Sequence, residues 1–312
     1  MDAGVATFWI AVGRMPNFAV IFVLLLLAKV FYERTVSYQF DEELTEKDNP
    51  AFGVCLAGYL VGVAIALVGA LFGTGDSLGQ DMITLLIGGV ATILLMRLGV
   101  LVNDKLILRS FSIDKELIQD RNIGTGFVVA GSCVATGFVL NGVLSGESDS
   151  LLGGILDIAI YWTVGQAVLV VGALVFQLIT SYDVHKVIEE DDNIAAGISF
   201  GGFLAALGII TGGALAGATG NLGEEIAITL VLATVGIFFL ICARFIADRV
   251  LLPRSPLSKE VAVDRNPAAG AIAAACFIAT ALLLSAALNP GAPVTAVDSQ
   301  EIALETDAGL ES

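Results

Sequence analysis

The chain has a single histidine, His185, in 312 residues. No second histidine and no local partner pattern accompany it, which excludes a histidine-built metal site or a Ser-His-Asp triad legible in sequence. His185 takes the place held by Asp41, Asp114 and Ser258 in related segments, so it reads as a solvated loop residue. The four cysteines, Cys55, Cys133, Cys242 and Cys276, form no Cys-x-x-Cys pair and all fall inside apolar stretches. They read as small buried hydrophobes, not as a zinc site or a disulfide framework. No glycine loop ending in Lys-Ser/Thr is present to cradle a phosphate. The chain is therefore expected to be non-enzymatic, without cofactor, metal or nucleic-acid partner.

Charge is scarce as well. Only 15% of residues are charged and 56% are apolar, whereas soluble domains carry about a quarter charged residues. Apolar blocks run over 16–38, 51–73, 82–102, 123–144, 151–180, 194–219, 226–247 and 267–289. Each is long enough to cross a hydrocarbon core of about 30 Å as a helix rising ~1.5 Å per residue. Membrane strands would give alternating segments of about ten residues, which are not found. Seven prolines, at 16, 50, 253, 256, 267, 290 and 293, all lie at block ends or in loops, so the broken helices of many transporters are not indicated. The start, Met1-Asp2-Ala3, lacks the basic region of a cleavable signal peptide, and the apolar stretch Ala6–Val12 is too short to span. The expected fold is an all-α membrane protein of eight spans in a lipid bilayer. An external N-terminal segment (1–15), two four-helix units (16–146 and 147–289) and an acidic external tail (290–312) complete it.

Lys and Arg are unevenly placed. All but Arg14 lie in, or flank, the loops 33–50, 103–122, 181–193 and 244–266, and the loops 74–81, 145–151 and 220–225 contain none. Basic loops stay in the cytoplasm, which predicts that both termini lie outside. The net charge of −16 comes mostly from the outer loops and the tail, and a solvated polar tail accounts for it.

One motif recurs four times on the basic side. It reads Lys47-Asp48-Asn49-Pro50-Ala51-Phe52-Gly53, then Asp120-Arg121-Asn122-Ile123-Gly124-Thr125-Gly126. The third and fourth copies are Asp191-Asp192-Asn193-Ile194-Ala195-Ala196-Gly197 and Asp264-Arg265-Asn266-Pro267-Ala268-Ala269-Gly270. Asn49 to Asn193 and Asn122 to Asn266 are both 144 residues, and Lys115-Glu116 recurs at that offset as Lys259-Glu260. Tandem duplication follows. Each unit has an even number of spans, so the copies should be parallel, giving four like-oriented hairpins.

Asn before a helix caps it, and Pro suits the first helical position. Asp48, Asp120, Asp192 and Asp264 stand where the helix dipole favours negative charge. Capping explains Asn49, Asn122, Asn193 and Asn266 without a ligand, and ligand or partner binding is the sharper alternative. Gly58 and Gly62, like Gly197 and Gly201, are four apart, a spacing that lets helix backbones approach closely. Lys29, Arg97 and Arg244 lie toward the basic-loop ends of spans one, three and seven and are expected to snorkel to the headgroups. Gln166 is the one strongly polar residue deep in a span, and interhelical hydrogen bonding accounts for it. A pore lined by Gln166, Asn141 and glycine backbone is the functional alternative.

The acidic loop followed by Asp-Asn or Asp-x-Asn and then Ala-x-Gly resembles the bacterial membrane family called domain of unknown function 350, whose members include YjfL-like proteins. The resemblance is strongest from Tyr182-Asp183 to Asp192-Asn193-Ile194-Ala195-Ala196-Gly197, and it covers two family units. Lys47, Pro50, Arg121 and Arg265 depart from the acidic third copy. The resemblance implies a bacterial inner-membrane protein and supplies no activity. Two functions are thus expected to compete: passage of small ions through the bundle, and a scaffold or stress-response component. The scaffold would hold a cytoplasmic protein partner through Asp41, Glu43, Asp114 and Glu116.

Overall fold

The computed structural model describes residue 12 and residues 15–71, 78–146, 150–216, 221–251 and 255–288. The N-terminal segment 1–15, apart from residues 12 and 15, and the acidic tail 290–312, both expected to be external, lie outside these residues. Ten α-helices are found among them: α1 (Met15–Arg34), α2 (Pro50–Leu71), α3 (Leu78–Val102), α4 (Ile123–Leu144), α5 (Leu151–Ile179), α6 (Val184–Glu189), α7 (Ile194–Leu215), α8 (Leu222–Ile246), α9 (Leu257–Ala262) and α10 (Pro267–Leu288). All but α6 and α9 are long and apolar enough to cross a membrane, giving eight spans. Their side chains are apolar nearly all round, and large apolar residues such as Phe18, Phe22, Val231 and Leu283 stay exposed. A soluble helix would instead show a polar face.

The second, fourth, sixth and eighth spans form a row in the order α2, α4, α7, α10, with the tightest packing in the molecule along it. The first, third, fifth and seventh spans flank the row. α3 leans on α2 and α4, α5 on α4 and α7, and α8 on α7 and α10, while α1 packs on α2 and α3. Lipid tails are as apolar as leucine, so hydrophobicity alone does not hold such a row together. Close van der Waals contact and interhelical hydrogen bonds do. A Cβ built on Gly58 would fall 2.3 Å from the Cα of Ala130, and one on Gly131 would fall 2.2 Å from the carbonyl oxygen of Gly201. At these two positions only glycine lets the backbones touch.

Aromatic clusters fix the loop ends to the row. In the first unit the Tyr32 ring meets Phe40 edge-on at 5.2 Å and Tyr59 at 4.7 Å, and Phe40 meets Phe52 at 4.7 Å. In the second, Phe176 stacks on Phe200 at 4.9 Å and touches Phe203 at 5.0 Å.

Four spans differ from the sequence expectation by four residues or more. α1 ends at Arg34, not 38, because Thr35 turns the chain by donating to the Tyr32 carbonyl, and Phe40 is tucked back with its N–H on Glu33. The third span runs on to Ile107 through a π-helical turn, Asn103–Ile107. The sixth ends at Leu215, not 219, with Ala216 extended. The seventh starts at Leu222, since Glu224 and Glu225 suit a helix N-terminus, and it continues to Val250.

Candidate functional site

Polar side chains gather in the loops beneath the row and at the joint between the fourth and fifth spans. In the loops, each motif Asn sits at the start of a row helix. The Asn49 Oδ1 accepts the N–H groups of Ala51 and Phe52 at 3.1 and 3.2 Å, and the Asn122 Oδ1 accepts that of Thr125 at 3.0 Å. Asn193 accepts from Ala196 at 3.0 Å and Asn266 from Ala268 at 3.1 Å. The residue before each Asn is left-handed without being glycine, with φ of 47° at Asp48, 53° at Arg121, 49° at Asp192 and 50° at Arg265.

The amide side of the same residues does something spacing alone did not suggest. Asn49 Nδ2 donates to the Leu117 carbonyl at 2.8 Å, Asn122 to Ile188 at 2.6 Å and Asn193 to Val261 at 2.9 Å. Each acceptor lies in the next copy's loop, five residues before that copy's own Asn. The amides therefore tie the four capped starts to one another at one end of the bundle.

A carboxylate supports three of the four. Asn49, Asn122 and Asn266 also donate to Glu43, Glu116 and Glu260 at 2.9, 3.0 and 3.2 Å. The third copy has Val187 at that place, so the four sites are not equivalent. Glu43 and Glu116, each only 1% exposed, are engaged inside the loops. The signal in the sequence is the constant spacing of six residues from Glu to Asn, at 43/49, 116/122 and 260/266.

Glu43 and Glu116 titrate in opposite senses. Burial pushes Glu43 up, but hydrogen bonds from Asn49 and Lys47 and the nearby Arg121 bring it below the usual carboxylate range. Burial also pushes Glu116 up, and there it prevails. Lys47 Nζ approaches Glu43 to 2.7 Å, whereas Lys115 reaches Glu116 at 3.3 Å and Asp120 at 2.6 Å. Lys115 is thus drawn toward Asp120, which it holds below its usual range. Asp48 and Asp192 are exposed at the rim, and Asp264 accepts from Lys259 at 3.0 Å.

His185 is not a free loop residue. Its Nε2 lies 2.7 Å from the carbonyl of Ile107 and its Nδ1 3.3 Å from Gln177 Oε1. Ile107 closes the π turn after α3, so His185 bridges the two units.

At the joint, Gln166 Nε2 donates to Thr136 Oγ1 at 3.2 Å, while its buried Oε1 has no partner among the described residues. A Cβ on Gly99 would stand 3.1 Å from the same Thr136 oxygen. One turn beyond Gly99, on the π turn that follows α3 and packs against α5, lies Asn103, with no exposed surface and, among the described residues, neither amide atom hydrogen-bonded. Asn103 reads in sequence as a helix-end residue beside Asp104 and Lys105, and nothing there marks it as buried.

The other sequence candidates lie apart. Asn141 donates to the Ile65 carbonyl at 2.8 Å and so pins α4 to α2, and the glycine faces of the row are filled by neighbouring backbone. Lys29 pairs with Glu33 at 2.6 Å, and Arg97 donates to Thr35 Oγ1 at 2.7 Å over the Tyr32 ring. Arg244 does not snorkel: it is 5% exposed and lies 5.8 Å from the centre of the Phe176 ring. Tyr32 and Phe176 are 144 residues apart, so equivalent rings hold an arginine in both units, because a ring face attracts a cation away from water.

These features define a multi-pass helical membrane protein with two four-span units. The family model described as Domain of Unknown Function (DUF350) matches residues 15–144 and again 150–288. The chain belongs to that family, as two tandem units. No curated protein and no solved structure matches it.

Proposed function

We propose that the chain is a non-enzymatic protein of the bacterial inner membrane that passes small ions along the polar seam between its two units. The observation that carries this reading is Asn103 with Gln166: both are buried, and among the described residues neither atom of the Asn103 amide, nor the Gln166 Oε1, has a hydrogen-bond partner, while the π turn that holds Asn103 packs on α5, the helix of Gln166. An unpaired polar group in an apolar surround costs about 1–3 kcal/mol by protein measurements and more in hydrocarbon. Water or a hydrated ion relieves that cost, and His185 and the Ile107 carbonyl continue the polar line toward the basic loops. The Lys and Arg distribution supports an orientation with these loops in the cytoplasm and both termini outside.

Purified chain in liposomes should show ion flux that falls sharply in Gln166→Leu and in Asn103→Leu, with helix content unchanged. Absence of flux under every gradient, or flux unaltered in both variants, would refute the reading. The scaffold alternative has less to stand on, because Glu43 and Glu116 are consumed inside the loops, leaving Asp41 and Asp114 to meet a partner.

A further inference from the structure

The row α2, α4, α7, α10 repeats one contact three times. Each helix presents a trailing face to the leading face of the next. On the trailing face Gly58, Gly131 and Gly202 are equivalent; on the leading face they meet Ala130, Gly201 and Ala274. Likewise Gly126, Gly197 and Gly270 on leading faces meet the backbone of Ala51, Gly124 and Ala195 on trailing ones. The middle contact, α4 on α7, joins the two family units, so one unit already associates with another through this pair of faces.

At the ends of the row both faces are left over. On α10 the trailing positions are Ala268, Ala271, Ala275, Ala279, Leu282 and Ala286, all exposed. On α2 the leading positions include Ala57, Ala64 and Val68, also exposed, with Gly53 half-buried beside them. A second, independent feature shows the same incompleteness. Asn49, Asn122 and Asn193 each reach the carbonyl five residues before the next Asn; Asn266, among the described residues, reaches only Glu260. The counterpart of Leu117, Ile188 and Val261 in the first copy is Leu44, on the turn Glu42–Glu46.

The geometry points to a second copy of this chain as the occupant. The trailing face of α10 packs on the leading face of α2 of the next copy, and Asn266 donates to that copy's Leu44 carbonyl. The contact is heterologous, two different faces of the same molecule, so copies add head to tail and close into a ring or extend as a row. It reproduces the α4–α7 joint between chains. It is also looser than that joint, because Ala275 and Ala286 stand where the other three trailing faces have Gly58, Gly131 and Gly202, and Gly69, Gly142 and Gly213. Ala on Ala holds the helices further apart than Gly on Ala, so the association is weaker than the packing within the chain.

The test is cysteine crosslinking of the full chain in its membranes. Ala57→Cys and Ala275→Cys in one chain should, on mild oxidation, give a ladder of multiples of the chain mass, several-fold above wild type with its native cysteines. Either substitution alone should stay at the wild-type level, and two differently tagged single variants expressed together should stop at a pair. Ala275→Gly, judged by oligomer mass in nanodiscs, should strengthen the association, an effect that a lipid-facing alanine would not produce. A double variant that stays at one chain's mass overturns the proposal. So does crosslinking of either single variant as strong as that of the double, which would mean a symmetric contact. Ion flux reads a different seam, so failure here and failure of the permeation reading are separable.

Discussion

The side-chain amide of Asn122 donates to the main-chain carbonyl of Ile188 at 2.6 Å, across 66 residues and from one family unit to the other. The same side chain caps α4 through its oxygen and takes the carboxylate of Glu116 through its nitrogen. One residue thus starts a helix, satisfies a buried acid and joins two units.

That triple role sets an order of severity. Asn122→Ala should cost most, because it removes a cap worth about 1 kcal/mol and leaves Glu116 buried and poorly paired, at about 1–3 kcal/mol more. Asn193→Ala loses the cap and the Val261 link but strands no carboxylate. Asn266→Ala loses a cap and the hydrogen bond to Glu260, but Glu260 is only part-buried and, among the described residues, Asn266 makes no link to a following copy, so it should cost least. Thermal unfolding in one detergent, followed by circular dichroism, should rank Asn122, Asn193 and Asn266 in that order.

Glu43 and Glu116 should respond to neutralisation with opposite signs. Glu116 is raised by burial, so its contribution to stability is full below the ordinary carboxylate pKa and is lost as pH rises through its raised value. Glu116→Gln should therefore raise the melting temperature at neutral pH, with the gain vanishing in acid. Glu43 is held low despite its burial, so it contributes above the ordinary range and loses this as pH falls through the lowered value. Glu43→Gln should lower the neutral melting temperature, by a few degrees at most. Melting temperatures of both variants against pH decide the matter, and equal signs at neutral pH would contradict it.

The row predicts a sharp contrast among glycines. Gly131→Ala places a methyl 2.2 Å from a backbone oxygen of α7, which neither helix can yield without parting. Overpacking of this kind costs about 1–3 kcal/mol. Gly223→Ala, at the start of α8, meets nothing within 4 Å and should be neutral or slightly stabilising, since alanine favours a helix. Unfolding of the two variants side by side, with equal losses as the contrary result, tests the packing.

Arg244→Leu should be tolerated better than Arg97→Leu. Arg244 lies against the Phe176 ring with little exposure, and leucine fills that space without a charge to desolvate. Arg97 also donates to Thr35 at the turn that ends α1, so its loss frees the loop. Proteolysis of the loop at 35–49 should rise in Arg97→Leu and stay unchanged in Arg244→Leu.

The spans were legible in sequence because twenty apolar residues in succession have few other homes. The order of the row was not, since every even-numbered span carries small residues and their faces look alike until one sees Gly58 on Ala130 and Gly131 on Gly201. Asn as a cap was legible from Asn-Pro at Asn49 and Asn266. Its amide partner was not, because a main-chain carbonyl such as Ile188 leaves no mark on residue type. Asn103 shows a harder limit. Burial there comes from the approach of α5, a tertiary fact, while its neighbours Asp104 and Lys105 suggest water.

The chain has 35 glycines, yet none occupies the four left-handed positions before the caps, where glycine would fit without strain. Asp48, Arg121, Asp192 and Arg265 stand there instead, each at a conformational cost of about 1–2 kcal/mol. Glycine is kept for places where two helices must touch, and at the bend a side chain is retained. The result is a rim of four ionic groups, negative, positive, negative, positive in chain order, each anchored to a rigid helix start. Their alternation gives that end of the bundle a fixed electrostatic pattern that a flexible loop could not hold.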